Sequence, residues 1–145
     1  MTFHLSRNEM MARIRSRGNK RTEVALATIL RIAGITGWRR QVCIRFSGKV
    51  NLTSGLVRPD FVFQREKLAV FVDGCFWHMC RYHCSMPTKR RAYWRAKLSR
   101  NRTRDKFVNS RLRQSGWKVV RVWEHELAKP SKVVERIAGA LQLRV

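Results

Sequence analysis

The side chains best equipped for chemistry crowd between Asp73 and Cys84, in the run Asp-Gly-Cys-Phe-Trp-His-Met-Cys-Arg-Tyr-His-Cys. Three of the chain's four cysteines and two of its four histidines fall there, spaced Cys75-x4-Cys80-x2-His83-Cys84. Thiolates and imidazoles are the ligands of structural zinc, which takes four of them in a tetrahedron. Such sites commonly combine a clustered group with one ligand from elsewhere, and His125, after a separate apolar run, is available for that part. The set Cys75, Cys80, His83 and His125 meets the rule; Cys84 competes with His83, because neighbouring residues rarely both reach one ion. Reduced cysteines beside solvated histidines are the alternative. Cys43 stands alone in an expected strand and reads as a core residue.

A second group is made of carboxylates. Asp60, after Pro59, and Asp73 lie at the ends of two apolar runs expected to pair as a hairpin, which brings them to one edge of a sheet. Two carboxylates in that arrangement suit Mg²⁺, a hard cation that keeps waters and phosphate oxygens among its ligands. A cation so placed polarises a scissile phosphate and lowers the pKa of attacking water. His78 lies outside the zinc set and titrates near neutrality, which fits a general base. Set against this, Asp60 also reads as a turn cap and Asp73 as a solvated acid. Glu23 has two readings as well, a first-turn carboxylate favoured by a helix dipole or a further acid of the site. Phe76 and Trp77, between ligand candidates, serve either as wedges that unstack a base step or as cover for the zinc. Trp94 leans toward the core.

The elements that must position these groups follow from periodicity and breakers. Asn8 to Ser16 reads as a short helix, followed by a basic turn around Gly18. Asn19 caps a helix over Lys20 to Ala33, ended by Gly34. Trp38 to Phe46 and Arg58 to Phe63 read as strands, with Pro59 at the first position of the second. Leu68 to Val72 is continuously apolar, as in a strand buried on both faces. These three form an antiparallel meander. Pro87 and Thr88 open a long helix that runs to about Gln114 and stops at Gly116; its arginine-rich middle is either a solvated face or a phosphate-facing one. Trp117 to Trp123 is another buried strand, and Val133 to Leu143 a last helix. The alternation is an α/β layer arrangement in one domain spanning 1–145.

Composition narrows the partner. The chain of 145 residues carries 32 Lys+Arg against 9 Asp+Glu, a formal charge of +23. That excess repels itself in a compact body, so a polyanion is the expected partner, nucleic acid first, bound through phosphate neutralisation. Met1 to Ser16 lacks the apolar stretch of a signal peptide, and no run approaches membrane-spanning length, which reads as a cytoplasmic protein with no membrane partner. In such a chain clustered cysteines favour metal binding over a disulfide framework.

Taken together, Arg58-Pro-Asp-Phe-Val-Phe, Val70-Phe-Val-Asp-Gly-Cys-Phe-Trp-His, Tyr93-Trp-x-x-Lys-x-x-x-Asn-x-x-x-Asp and Gly116-Trp-Lys-Val-Val-Arg-Val-Trp-Glu resemble the very-short-patch-repair (Vsr-type) DNA mismatch endonucleases. The resemblance runs collinearly from about Met10 to Leu127. It implies a restriction-endonuclease-like three-layer fold, a central mixed sheet flanked by helices, with a structural zinc. It implies Mg²⁺-dependent nicking of one strand of double-stranded DNA beside a T·G mismatch, the start of repair of deaminated 5-methylcytosine, by a monomer. Carried over by motif, Asp60 is the central Mg²⁺ ligand with the backbone carbonyl of Val72, His78 the general base and Asp105 its helper. Glu23 matches an acid of the N-terminal catalytic helix. Phe76, Trp77 and Trp94 match aromatics that intercalate beside the mismatch, and Lys97 and Asn101 face DNA or the site. The chain departs from the family pattern in three places. Asp73 stands where a second histidine is usual, His125 where a cysteine is common, and the loop Ser47 to Leu56 is longer. Two alternatives remain: a restriction- or homing-type nuclease acting on undamaged DNA, and a zinc-stabilised DNA-binding module without cleavage.

Overall fold

The computed structural model describes residues 20–46, 55–75, 80–82 and 86–143. The expected helix at 8–16, the basic turn and cap before residue 20, the loop 47–54, and Phe76, Trp77, His78, His83 and Cys84 lie outside the described residues.

Helix α1 spans Lys20–Ile32. It buries Glu23, Leu26, Ala27 and Leu30, a spacing of three and four that defines one helical face. Val24 and Ile32, apolar positions by sequence, point away and are exposed. Gly34 ends the helix at φ +71°: its N–H donates to the Arg31 carbonyl at 3.0 Å, and that of Ile35 to Leu30 at 2.9 Å. This is a Schellman closure, whose left-handed residue favours glycine.

The expected strand from Trp38 to Phe46 divides into β1, Trp38–Arg40, and β2, Ile44–Arg45. Gln41 between them adopts φ +59°, which no strand accommodates. Cys43 therefore lies in the connection and is exposed, with Arg58 Nε 3.5 Å from its Sγ; the core reading of this thiol is corrected. Strand β2 pairs with β3, Leu56–Val57, in a small antiparallel sheet.

The main sheet has the order β1-β4-β5-β6, with β4 at Phe61–Phe63, β5 at Leu68–Asp73 and β6 at Lys118–Trp123. β1, β4 and β5 form the antiparallel meander, whereas β6 runs parallel to β5, so the sheet is mixed. A parallel partner requires a crossover, and helix α2, Arg91–Gln114, supplies it. It begins later than Pro87 suggests, because Arg90 at φ +55° closes a non-helical turn. A 3₁₀ turn, Glu124–Ala128, follows β6, and α3, Pro130–Ala140, closes the domain with proline in its first turn. Among the described residues no helix is long and apolar enough to cross a membrane.

Side-chain alternation along the strands divides the core in two. Phe61, Phe63, Leu68, Val70 and Val122 face α1 and α3, packing on Leu26, Leu30, Val133 and Ile137. Val62, Ala69 and Phe71 face the other way, toward Val108 and Leu112 of α2 and Ile44 and Phe46 of the small sheet. The protein is thus a layered α/β fold with helices on both faces of a mixed sheet, and β5 is apolar from Leu68 to Val72 because both its faces are covered. Phe61 is fully buried and meets Trp38 edge-on at 5.2 Å. Phe61→Ala is expected to cost about 3–5 kcal/mol in urea unfolding, and a loss under about 1 kcal/mol would contradict this packing.

Candidate active site and metal centre

The carboxylates collect where β4 begins and β5 ends. Asp60 precedes β4 and receives the Val72 N–H on Oδ2 at 2.7 Å. In an extended strand a residue's N–H and C=O point to the same side, so the Val72 carbonyl is turned toward Asp60 as well. Glu23 enters from α1, 2% exposed. Its face of the helix is the one that packs on the sheet, which explains an acid in the core. Arg40 of β1 forms an ion pair with Glu23 Oε2, and Gln41 Nε2 donates to both its oxygens at 3.2 and 3.3 Å. The left-handed turn at Gln41 thus carries an amide back onto Glu23.

Burial pushes the Asp60 carboxyl up to about 7, with the Glu23 and Asp73 charges acting in the same direction and the Val72 N–H opposing them. Among the described residues no lysine or arginine pairs with Asp60, whereas Glu23 and Asp73 each have an arginine. A half-buried carboxylate beside two buried ones, with no counter-ion of its own among the described residues, is the place where a divalent cation would be most stabilising.

Asp73, the last residue of β5, is buried and not solvated. Its Oδ1 accepts from Arg121 Nη1 at 2.9 Å, and Asp105 of α2 lies 3.6 Å from the same nitrogen. Asp105 reaches this point because of its helical register. The positions Trp94, Leu98, Val108 and Leu112 are buried, and a step of three or four from Leu98 to Val108 passes through Asn101 and Asp105. The seam that is apolar at both ends is polar in its middle, where it crosses the site. Trp94 is buried against Tyr93, and Lys97 lies 5.5 Å from the Trp94 ring.

The sulfur cluster lies one step beyond. The parallel register Asp73↔Trp123 places Cys75 opposite His125. Cys75 Sγ lies 3.2 Å and Cys80 Sγ 3.6 Å from His125 Nδ1, and all three ligand atoms fall within 4.8 Å of one another. A tetrahedral zinc with ordinary Zn–S and Zn–N bonds holds sulfur and nitrogen about 3.5 Å apart, so these separations suit a shared ion. The Cys75 N–H donates to Glu124 Oε1 at 3.0 Å, and the Cys80 N–H to the Cys75 carbonyl at 2.8 Å. Burial pushes the Cys75 thiol up to about 12, with Cys80 and Glu124 adding to the rise. The three donors fit a soft cation.

The sequence of this fold matches a known family. The profile described as DNA mismatch endonuclease Vsr aligns with residues 3–86. The chain belongs to the Vsr family. Among relatives, it is 44% identical over 110 residues to the type II nicking enzyme V.NaeI of Lentzea aerocolonigenes, covering 76% of this chain and 63% of that one. It is 38% identical over 81 residues to the DNA mismatch endonuclease Vsr of Escherichia coli, 54% of this chain and 51% of the other. With the type II nicking enzyme V.XorIIP of Xanthomonas oryzae pv. oryzae the identity is 34% over 146 residues, 97% and 98% of the two chains. The chain thus spans between half and two thirds of the first two of these relatives and nearly all of the third.

The structure brings Glu23, Asp60, Val72, Asp73 and Asp105 to one end of the sheet and Cys75, Cys80 and His125 to one cluster. Sequence reasoning missed Arg40, Gln41, Asn109, Arg121 and Glu124. Arg121 had a signal, an arginine within the apolar run Val-Val-Arg-Val, where a charge needs a partner.

Proposed function

We propose that this Vsr-family protein is a DNA endonuclease that nicks one strand of double-stranded DNA beside a T·G mismatch, using Mg²⁺. The observation that carries the reading is Asp60, a half-buried carboxylate at the meeting of β4 and β5 with no basic partner among the described residues, flanked by the buried acids Glu23 and Asp73. Asp60 and the Val72 carbonyl would hold Mg²⁺, which when bound polarises the phosphate and acidifies the attacking water. His78 takes the water's proton, and Asp105 orients it. Glu23, fixed by Arg40 and Gln41, keeps the Asp60 side of the site ordered and anionic. Cys75, Cys80 and His125 would hold zinc, with His83 or Cys84 as the fourth ligand, and so join the ends of β5 and β6. Phe76 and Trp77 contact the disturbed base step, Trp94 belongs instead to the buried face of α2, and Lys97 and Asn101 meet the strand from α2. The +23 charge of the chain supports a DNA partner.

A second reading, strand nicking that does not require a mismatch, is favoured by relatives whose names are type II nicking enzymes. One assay separates the two: Mg²⁺-dependent nicking of a labelled duplex with a central T·G pair against its fully paired control. Nicking confined to the T-bearing strand of the mismatch is expected. Equal cleavage of both duplexes would transfer the assignment to the second reading, and salt-sensitive binding without cleavage would end both.

A further inference from the structure

Four of the chain's nine acidic residues, Glu23, Asp60, Asp73 and Asp105, converge on one end of the sheet. A phosphodiester is an anion, and carboxylates alone would repel the group they are to cleave. On the α2 face Arg121 reverses that sign. It stands opposite Phe71 in the β5–β6 register, with its guanidinium carbon 4.2 Å from the Phe71 ring centroid. Nε donates to Asn109 Oδ1 at 2.7 Å, and Nη1 donates to Asp73 Oδ1 at 2.9 Å with Asp105 Oδ1 3.6 Å away. Two elements, β5 and α2, therefore fix the guanidinium carried by β6, while 19% of the side chain stays accessible against 6% for Asp73. These contacts engage Nε and Nη1 and do not use Nη2. An arginine held in this way has already lost its rotamer freedom, and its planar fork matches phosphate oxygens.

We propose that Arg121 is a catalytic cation of this site, touching the scissile phosphate through Nη2, and that Asp73 is its positioning residue and not a metal ligand. The proposal rests on the phosphodiester-hydrolysis reading above. In that reaction a water oxygen bonds to phosphorus, the bond from phosphorus to the leaving sugar oxygen breaks, and the water's proton ends on that oxygen. Charge accumulates on the phosphoryl oxygens between these events. A guanidinium already in place stabilises the crowded, more negative state more than the ground state. Asp73 Oδ1 is engaged by Arg121, and the Asp73 side chain is far less accessible than the guanidinium it holds, which suits an orienting role better than a metal ligand's.

The test is single-turnover nicking with Mg²⁺ titrated, on whichever duplex the wild type cleaves, with DNA affinity and melting temperature measured in parallel. Arg121→Ala is expected to lose about 10²–10³ in rate, with DNA affinity and the half-saturating Mg²⁺ concentration little changed. Added guanidinium ion should restore part of that loss. Asp73→Asn should slow nicking by about tenfold and leave the half-saturating Mg²⁺ concentration where it was. If Arg121→Ala does not fold, Arg121→Gln, which retains hydrogen bonding to Asp73, takes its place under the same readings. A folded Arg121 variant that nicks within about threefold of wild type, or one that guanidinium does not rescue, would overturn the proposal. So would an Asp73→Asn protein needing about ten times more Mg²⁺, since that would make Asp73 a ligand. Wild-type protein that nicks neither duplex would defeat the underlying nuclease reading, a result distinct from all of these.

Discussion

Asp60→Asn protein is expected to bind DNA like its parent and to nick it roughly a thousandfold more slowly or worse. The magnitude follows from the several kcal/mol that metal polarisation supplies to such a step, at about 1.4 kcal/mol for each tenfold. The fold should survive, because asparagine keeps an oxygen to accept the Val72 N–H that Asp60 accepts at 2.7 Å. A second effect has the opposite sign. Burial raises the Asp60 carboxyl from 3.8 to about 7, so the metal-free native state holds its proton more tightly than the unfolded chain does. The stability this contributes is complete below pH 3.8 and is lost as pH rises through about 7. Asparagine imitates the protonated form at every pH. Metal-free Asp60→Asn should therefore melt above the parent at pH 8, with the gap closing toward pH 4. Mg²⁺ should raise the melting temperature of the parent more at pH 8 than at pH 5.5, and that of the variant hardly at all. A variant that nicks within tenfold of the parent, or that keeps the Mg²⁺-dependent shift, would remove Asp60 from the metal site.

Much of the frame that positions Asp60 is legible in the chain because it depends on local signals. β5 announces itself as an uninterrupted apolar run, since both faces of that strand are covered by helices or by the small sheet. α1 and α2 both end at glycines with positive φ, at Gly34 and Gly116, where the breaker residue is the mechanism of termination. The failures share a different cause. Gln41 is not a turn former, and it takes its left-handed conformation in a structure where its amide reaches a glutamate eighteen positions away. Cys43 escapes a sequence reading for the same reason: once the strand breaks at Gln41, the alternation that would bury it no longer applies.

The acids illustrate the limit most clearly. The expected hairpin brings Asp60 and Asp73 to one sheet edge, but nothing in the spacing says that Glu23 and Asp105 join them, and it is the resemblance to a family that groups all four. Helical register accounts for two of the four afterwards. Glu23 shares the face of Leu26, Ala27 and Leu30, and Asp105 continues the seam of Leu98 and Val108. The two acids that the core does bury, Glu23 and Asp73, are each paired with an arginine. Those arginines are invisible among 32 basic residues, since composition gives no means of telling an inward-facing Arg121 from one that meets solvent.

Removing the metal from the cysteine cluster is expected to unfold the protein and not merely silence it. Cys75 follows β5 and His125 follows β6, in a register that sets them opposite each other, so an ion there fastens the ends of the central parallel pair. Structural zinc contributes on the order of 10–16 kcal/mol in small domains, against a total stability of about 5–15 kcal/mol for a typical fold. Burial that pushes the Cys75 thiol up to about 12 adds a proton linkage. Without an ion the native thiol stays protonated, and zinc must displace that proton, so zinc affinity should fall as pH is lowered and binding should release acid. Chelation at neutral pH should then abolish the β-sheet circular dichroism and nicking together, and Cys80→Ser should purify with less than one zinc per chain. Cys43→Ser, at an exposed thiol away from the cluster, should change neither. A chelated protein that keeps its melting temperature, or a Cys80→Ser protein with full zinc, would show that the thiols pack without a metal. The two sites would be told apart by their losses: Asp60 variants are expected to lose cleavage and keep structure, and chelation at the cysteine cluster is expected to cost both.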